Sequence, residues 1–228
     1  MSNSHQKTFH FELRPAMGYQ DFMVTICNRE AVQWLDLWPD WKVPAIVIYG
    51  SHGCGKSHLA NVFVARSGAN LVTPLMLETT DISKILEDQS CCVVDDAESG
   101  FDEEIFLHLY NCVESARGHM LLTATKPPSQ WGVCLKDLES RLKSIPSVKI
   151  GQPDDKLLEA VLAKLFSDWQ LIVGSDVISY VLNRMERSLT MAQEIVERID
   201  KYSLTTGRKI TLPLVRQVFS QDTTNLLM

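Results

Sequence analysis

The sequence predicts an α/β fold, a parallel β-sheet covered on both faces by helices, followed by a small all-helical domain. Three observations carry that prediction. Near-continuous apolar runs alternate with helical patterns from Ala45 to Thr125, the signature of strands buried on both faces. The glycine-rich octapeptide Gly50-Ser51-His52-Gly53-Cys54-Gly55-Lys56-Ser57 stands between the first such run and the first helical pattern. From Asp154 onward only helical periodicity remains.

Taken in order, the first run, Ala45-Ile46-Val47-Ile48-Tyr49, enters the glycine-rich loop. Lys56 to Arg66 then carries Leu59, Val62 and Phe63 on one helical face and stops near Gly68. Asn70-Leu71-Val72-Thr73 is a second, shorter run. Cys91-Cys92-Val93-Val94 is a third and ends in Asp95-Asp96. Asp102 is a good N-cap for a helix with Ile105, Phe106, Leu109, Tyr110 and Val113 inward, and Gly118 is expected to close it. Met120-Leu121-Leu122-Thr123-Ala124-Thr125 is the fourth run. The pattern changes near Pro146 to Ile150. Beyond it, Leu157, Leu158, Val161, Leu162 and Leu165 form one helical stripe, and Val177, Tyr180, Val181 and Leu182 another. A third helix is expected from Thr190 to Tyr202 and a short one from Pro213 to Phe219. These boundaries suggest an N-terminal segment over 1–14, a nucleotide-binding domain over 15–152 and a helical domain over 153–228.

The 228 residues suffice for a substantial core, and an apolar fraction of 45% with 22% charged describes an ordinary globular chain. A net charge of −6 argues against non-specific binding to nucleic acid, which depends on lysines and arginines displacing counterions; a local basic patch stays open. Met1 to Thr8 is polar, unlike a signal peptide, and no apolar run reaches the length of a membrane helix. Six cysteines without C-x-x-C spacing read as structural thiols in a reducing cytoplasm.

The pattern G-x-x-x-x-G-K-S is specific when it follows a strand and opens a helix, as it does here. Glycines let backbone amides turn inward to cradle phosphate oxygens, and the helix N-terminus adds its positive end. Lys56 would reach the outer phosphates of the nucleotide and Ser57 would ligate Mg2+. His52 and His58 are local to the loop, and Cys54 contributes a backbone amide. A second magnesium anchor is needed on a neighbouring strand, and Asp95 fits it, with Asp96 able to orient water. The alternative is a strand-end turn with solvated carboxylates. Thr125, at a strand tip, could position water or the γ-phosphate, or could be a hydrogen-bonded turn residue.

With these parts in order the chain resembles the AAA+ P-loop ATPases, and within them the DnaA/Hda clade. Asp21-Phe22, Gly50 to Leu59, Asp95-Asp96 and Phe106-Leu107-His108-Leu109-Tyr110-Asn111 carry the resemblance. So do Leu122 to Pro128, Asp137-Leu138-Glu139-Ser140-Arg141-Leu142 and Gly207-Arg208-Lys209-Ile210-Thr211-Leu212. It extends from about Pro15 to Phe219. The resemblance implies a five-stranded parallel sheet with a helical lid, ADP or ATP with Mg2+ as cofactors, and an adenine pocket near Phe22 and the lid. With no helix-turn-helix domain after the last lid helix, a stand-alone regulatory module without sequence-specific DNA binding is expected.

The same resemblance implies partners: DnaA, the replication sliding clamp and a second copy of the chain. Gln6-Lys7-Thr8-Phe9-His10-Phe11 sits where such regulators carry a clamp-docking peptide. Gln6 would bond a pocket rim while Phe9 and Phe11 fill an apolar cleft, although the two aromatics could also form an edge strand. Arg141 matches the family's arginine finger, which reaches the nucleotide of a neighbouring subunit; the lesser alternative is a surface arginine in a helix-end salt bridge. One departure stands out. Thr190 occupies the position of the lid arginine, with Arg187 three residues earlier, which places the chain's own ATP hydrolysis in doubt. The leading expectation is therefore a protein that stimulates hydrolysis of DnaA-bound ATP. A helicase loader or other replisome ATPase is the alternative, and DNA-stimulated turnover would favour it. A small-molecule enzyme has no acid–base or nucleophile constellation to support it.

Overall fold

The computed structural model describes residues 13–14, 22–79, 81–86, 90–100 and 102–225. Their elements run β1 (Leu13–Arg14), β2 (Phe22–Met23), α1 (Arg29–Leu37), β3 (Ala45–Tyr49), α2 (Lys56–Ser67), β4 (Asn70–Val72), α3 (Pro74–Thr79) and α4 (Ile82–Ile85). Then follow β5 (Cys92–Val94), α5 (Glu103–Ser115), β6 (Met120–Ala124), a 3-10 turn at Pro128–Gln130, α6 (Lys136–Ser144) and β7 (Ser147–Lys149). The last four are α7 (Asp155–Asp168), α8 (Ser175–Leu182), α9 (Leu189–Thr206) and α10 (Leu212–Asn225).

Each apolar run has become a strand of one parallel sheet of five, in the order β4-β5-β6-β3-β7. The runs of the central strands are almost wholly apolar because both faces are covered. Ala45, Val47, Val94 and Leu122 pack under α5 and α6, against Phe106, Leu109, Leu138 and Leu142. Ile46, Ile48, Val93 and Leu121 face the other way, onto Leu59 and Phe63 of α2 and onto Trp41. Trp41 stacks on Phe63 with ring centroids 5.2 Å apart. Arg66 ties α2 to α1 by donating to the carbonyls of Leu35 and Trp38.

Two local expectations need correction. The carboxylate-bearing strand β5 is not the neighbour of β3, because β6 lies between them. Gly118 does not supply the left-handed residue that ends α5; Arg117 does, with φ 53°. Gly118 is required for another reason: a Cβ there would lie 1.6 Å from the Ser90 carbonyl oxygen. Backbone cannot rotate away as a side chain can. Gly118→Ala is therefore expected to destabilise the protein by on the order of 2 kcal/mol, read as a lower urea midpoint. An unchanged midpoint would refute this account of the contact.

The four C-terminal helices enclose their own core of Leu158, Leu162, Phe166, Val181, Ile195, Val196, Leu214 and Val215. Asp154 caps α7 by accepting from the Leu157 amide at 2.8 Å, and Ser188 caps α9 by accepting from the Met191 amide at 3.1 Å. Helix α9 ends at Gly207, whose φ is 64°. Helix α10 runs further than the apolar pattern predicts, to Asn225 rather than Phe219. Periodicity marks only the turns that bury a face, so a polar continuation is invisible to it. Among the described residues no helix is long and apolar enough to cross a membrane.

Candidate functional site

The glycine-rich loop leaves the carboxyl end of β3 and returns as α2. Gly53 and Gly55 hold φ of 69° and 105°, left-handed conformations that residues with a Cβ rarely adopt. Lys56 opens α2 and is only 6% exposed. Its Nζ donates to the carbonyls of Gly50 at 2.9 Å and Ser51 at 3.1 Å. No carboxylate pairs with it among the described residues. A buried ammonium held only by neutral carbonyls is costly unless an anion joins it, and the adjoining helix N-terminus favours the same anion.

The Ser57 hydroxyl donates to Asp95 Oδ2 at 3.0 Å, joining the start of α2 to the end of β5. Between them lies Thr123 of β6, a fully buried hydroxyl in an otherwise apolar strand. It donates to Asp95 Oδ1 and accepts the Asp96 amide at 3.0 Å. Thr123 thus spans the strand inserted between β3 and β5 and aims the Asp95 carboxylate at Ser57. The lone hydroxyl within Met120 to Ala124 was the signal for it. Asp96 takes φ 54° and lines the cavity beside the loop.

That cavity has a volume of about 690 Å³ and lies between the phosphate loop and the lid. His52 to Leu59 line one side, and Leu157, Val161, Ser188, Thr190 and Gln193 line the lid side. Met23, Asn28 and Ile150 complete a less polar end, next in sequence to Phe22, near which the adenine pocket was expected. Asn28 is held there by the Thr25 amide and the Met23 carbonyl. The lid touches the loop directly, since the Leu189 amide donates to the Gly53 carbonyl at 2.8 Å. A Cβ on Gly53 would come 2.3 Å from Ser188 Oγ, so this glycine serves the lid contact as well as the turn. Burial raises the pKa of the Cys54 thiol, against the opposing charge of Lys56, and lowers that of His58.

The geometry brings the loop, Ser57, Asp95 and Asp96 together. A phosphate chain fits the amides and Lys56, and a divalent cation fits Ser57 with Asp95. Thr125 stands apart from the cavity lining: its hydroxyl and amide both donate to Glu98 Oε1, and the Lys126 amide donates to Glu98 Oε2. Burial raises the Glu98 pKa, but these donors outweigh it and the net shift is downward. Arg187 does not replace the lid arginine, because it pairs with Asp155 at 3.0 Å on the surface. Among the described residues no arginine lines the cavity.

Arg141 lies elsewhere, on α6. Its Nη1 donates to Glu114 Oε2 at 3.0 Å, its Nε is 3.4 Å from Asp137 Oδ1, and its guanidinium carbon is 5.3 Å from the Tyr110 ring centroid. Sequence reading found the arginine but neither Glu114 nor Tyr110, which α5 brings to it. Gln6, Phe9 and Phe11 lie outside the described residues. Phe22 pairs through its backbone with Arg14, and its side chain is also outside them.

Residues 155–219 match the family model described as Hda, lid domain, and residues 46–124 match one described as RNA helicase. Among solved structures, domain III of the Thermotoga maritima replication initiation protein DnaA superposes with a TM-score of 0.76 at 17% identity, covering 88% of this chain and 94% of that one. AMPPCP-bound DnaA from Aquifex aeolicus gives 0.64 at 20% identity, covering 83% and 66%. A RuvB variant from Thermotoga maritima gives 0.68 at 15%, covering 85% and 68%. Identities this low speak for the fold, and the lid match refines it. The parallel five-stranded sheet and its phosphate loop give this chain the fold of the DnaA-like AAA+ proteins, and its C-terminal helices are similar to the Hda lid domain.

Proposed function

We propose that this chain is a replication regulator of the Hda type. It holds ADP or ATP with Mg2+, docks on the DNA polymerase III sliding clamp, and accelerates hydrolysis of ATP bound to DnaA. The placing of the arginines carries this reading. Among the described residues none lines the chain's own cavity, with Thr190 at the lid position and Arg187 engaged by Asp155. Arg141 stands outside that cavity, oriented by Glu114, Asp137 and Tyr110.

In this reading the phosphate-loop amides and Lys56 hold the phosphates. Ser57 and Asp95 hold the magnesium, with Thr123 fixing the carboxylate. Bound nucleotide sets the contact between the lid and the loop, and through it the face offered to DnaA. Thr125, with its only hydroxyl proton given to Glu98, can accept a hydrogen bond from water but has none left to donate to a phosphate. With no arginine lining the cavity among the described residues, turnover at this site is slow. Arg141 supplies positive charge to the neighbouring subunit's nucleotide instead. The decisive assay is hydrolysis of radiolabelled ATP on DnaA, in the presence of DNA-loaded clamp, with and without this protein. DNA-stimulated turnover by the chain alone, without an effect on DnaA, would favour a helicase loader.

Clamp docking has its own test. Gln6→Ala is expected to weaken clamp binding about tenfold in surface plasmon resonance, the loss of one anchor of a short peptide. Unchanged affinity would remove the docking step from the proposal.

A further inference from the structure

A group of cations on the lid takes no part in the nucleotide cavity. Arg184 follows α8, and its guanidinium carbon lies 3.8 Å from the centroid of the Tyr180 ring. Arg216, on α10, lies 5.6 Å from the same centroid. The next residue of α10, Gln217, accepts from Arg208 Nη1 at 3.0 Å. Two exposed arginines from separate segments thus share one ring, and a third, Arg208, is tied through Gln217 to the helix that carries Arg216. Among the described residues none of the three pairs with a carboxylate, whereas Arg66, Arg141 and Arg187 each do.

Gathering like charges without counter-ions is unfavourable unless an anion is brought to them. Contact with the Tyr180 ring holds the two guanidiniums near each other, and among the described hydrogen bonds none claims their forked N–H donors, an arrangement suited to phosphate oxygens. A protein partner would draw its energy from buried apolar anchors. Among the described residues neither α8 nor α10 exposes a large apolar side chain, and Leu204 of α9 is a single exposed one rather than a cluster of anchors. A phosphate backbone needs only the cations.

We propose that the row Arg184–Arg216–Arg208 binds the phosphodiester backbone of a nucleic acid, without reading its sequence. The acidic remainder of the chain keeps this contact weak and confined to one face of the lid.

The test is fluorescence anisotropy of a short labelled duplex of mixed sequence, titrated with the whole chain over a range of salt concentrations. Affinity should fall with salt, and combined Arg184→Gln, Arg208→Gln and Arg216→Gln should lower it about tenfold or more at low salt. The slope of log affinity against log salt should shrink by roughly one for each arginine that contacts a phosphate. Because none of the three lines the cavity, ADP binding should persist. Should the triple variant lose ADP binding, Arg208→Gln alone, whose side chain bonds only to Gln217 among the contacts described, must still reduce the slope by about one. The proposal is overturned if the wild-type chain does not bind duplex at low salt, or if the variants leave affinity and slope unchanged. It is also overturned if polyglutamate of equal charge displaces the duplex as well as unlabelled duplex does, since the row would then serve an acidic protein.

Discussion

Replacing Arg141 with alanine is expected to abolish stimulation of DnaA-bound ATP hydrolysis, a loss of roughly a thousandfold in the accelerated rate. The size follows from what a guanidinium supplies to phosphoryl transfer: charge placed against the oxygens as the bond breaks, which water does not replace. The fold should tolerate the change. Arg141 pairs with Glu114 and Asp137 on a partly exposed surface, where such pairs contribute about 0–1 kcal/mol. Single-turnover hydrolysis of ATP pre-bound to DnaA, with clamp loaded on DNA, reads the first effect, and ADP binding by the variant reads the second. A variant that stimulates like wild type would remove Arg141 from the mechanism. Loss of stimulation with ADP binding intact would separate the trans role from the chain's own site.

Lys56→Met should act on the opposite half of the mechanism. Its ammonium is buried, held by the Gly50 and Ser51 carbonyls, and has no carboxylate partner among the described residues. Removing the charge that a bound phosphate would meet there is expected to weaken nucleotide binding by about two to three orders of magnitude. Thermal unfolding gives the readout. ADP at roughly a hundred times its Kd stabilises a binding protein by about 2.7 kcal/mol. For a chain of this size that is a rise in Tm of about 5–10 °C. The variant should unfold cooperatively and show no such rise. A shift as large as in the wild type would mean that the loop amides hold the phosphates without this lysine.

Much of the molecule was readable because local signals and burial agree. The strands at Ala45–Tyr49 and, Thr123 apart, Met120–Ala124 are apolar throughout because both faces are covered, and no other element of that length demands it. The phosphate loop was legible because its backbone needs glycine at Gly53 and Gly55, and the chemistry needs Lys56 and Ser57 directly after them. Helix α1 and the short helices α3 and α4 were missed, since short segments between turn residues leave too few periods to recognise.

The sequence by itself determined the fold class and the position of the glycine-rich loop between a strand and a helix, because each rests on local patterns; Asp95, 38 positions from Ser57, was expected only from the chemistry a phosphate loop requires. Only the tertiary structure decided which strand separates β3 from β5, that Thr123 aims Asp95, that Glu98 takes the Thr125 proton, and that Arg187 is bound to Asp155. It alone brought Glu114 and Tyr110 to Arg141, and gathered Arg184, Arg208 and Arg216 around Tyr180 and Gln217. The physical reason is one of distance along the chain. A hydrogen bond between residues 27 or 28 positions apart, such as those of Arg141 with Glu114 or Thr123 with Asp95, leaves no periodic trace in composition. Strand order and helix packing bring such residues together, and a single sequence does not display either.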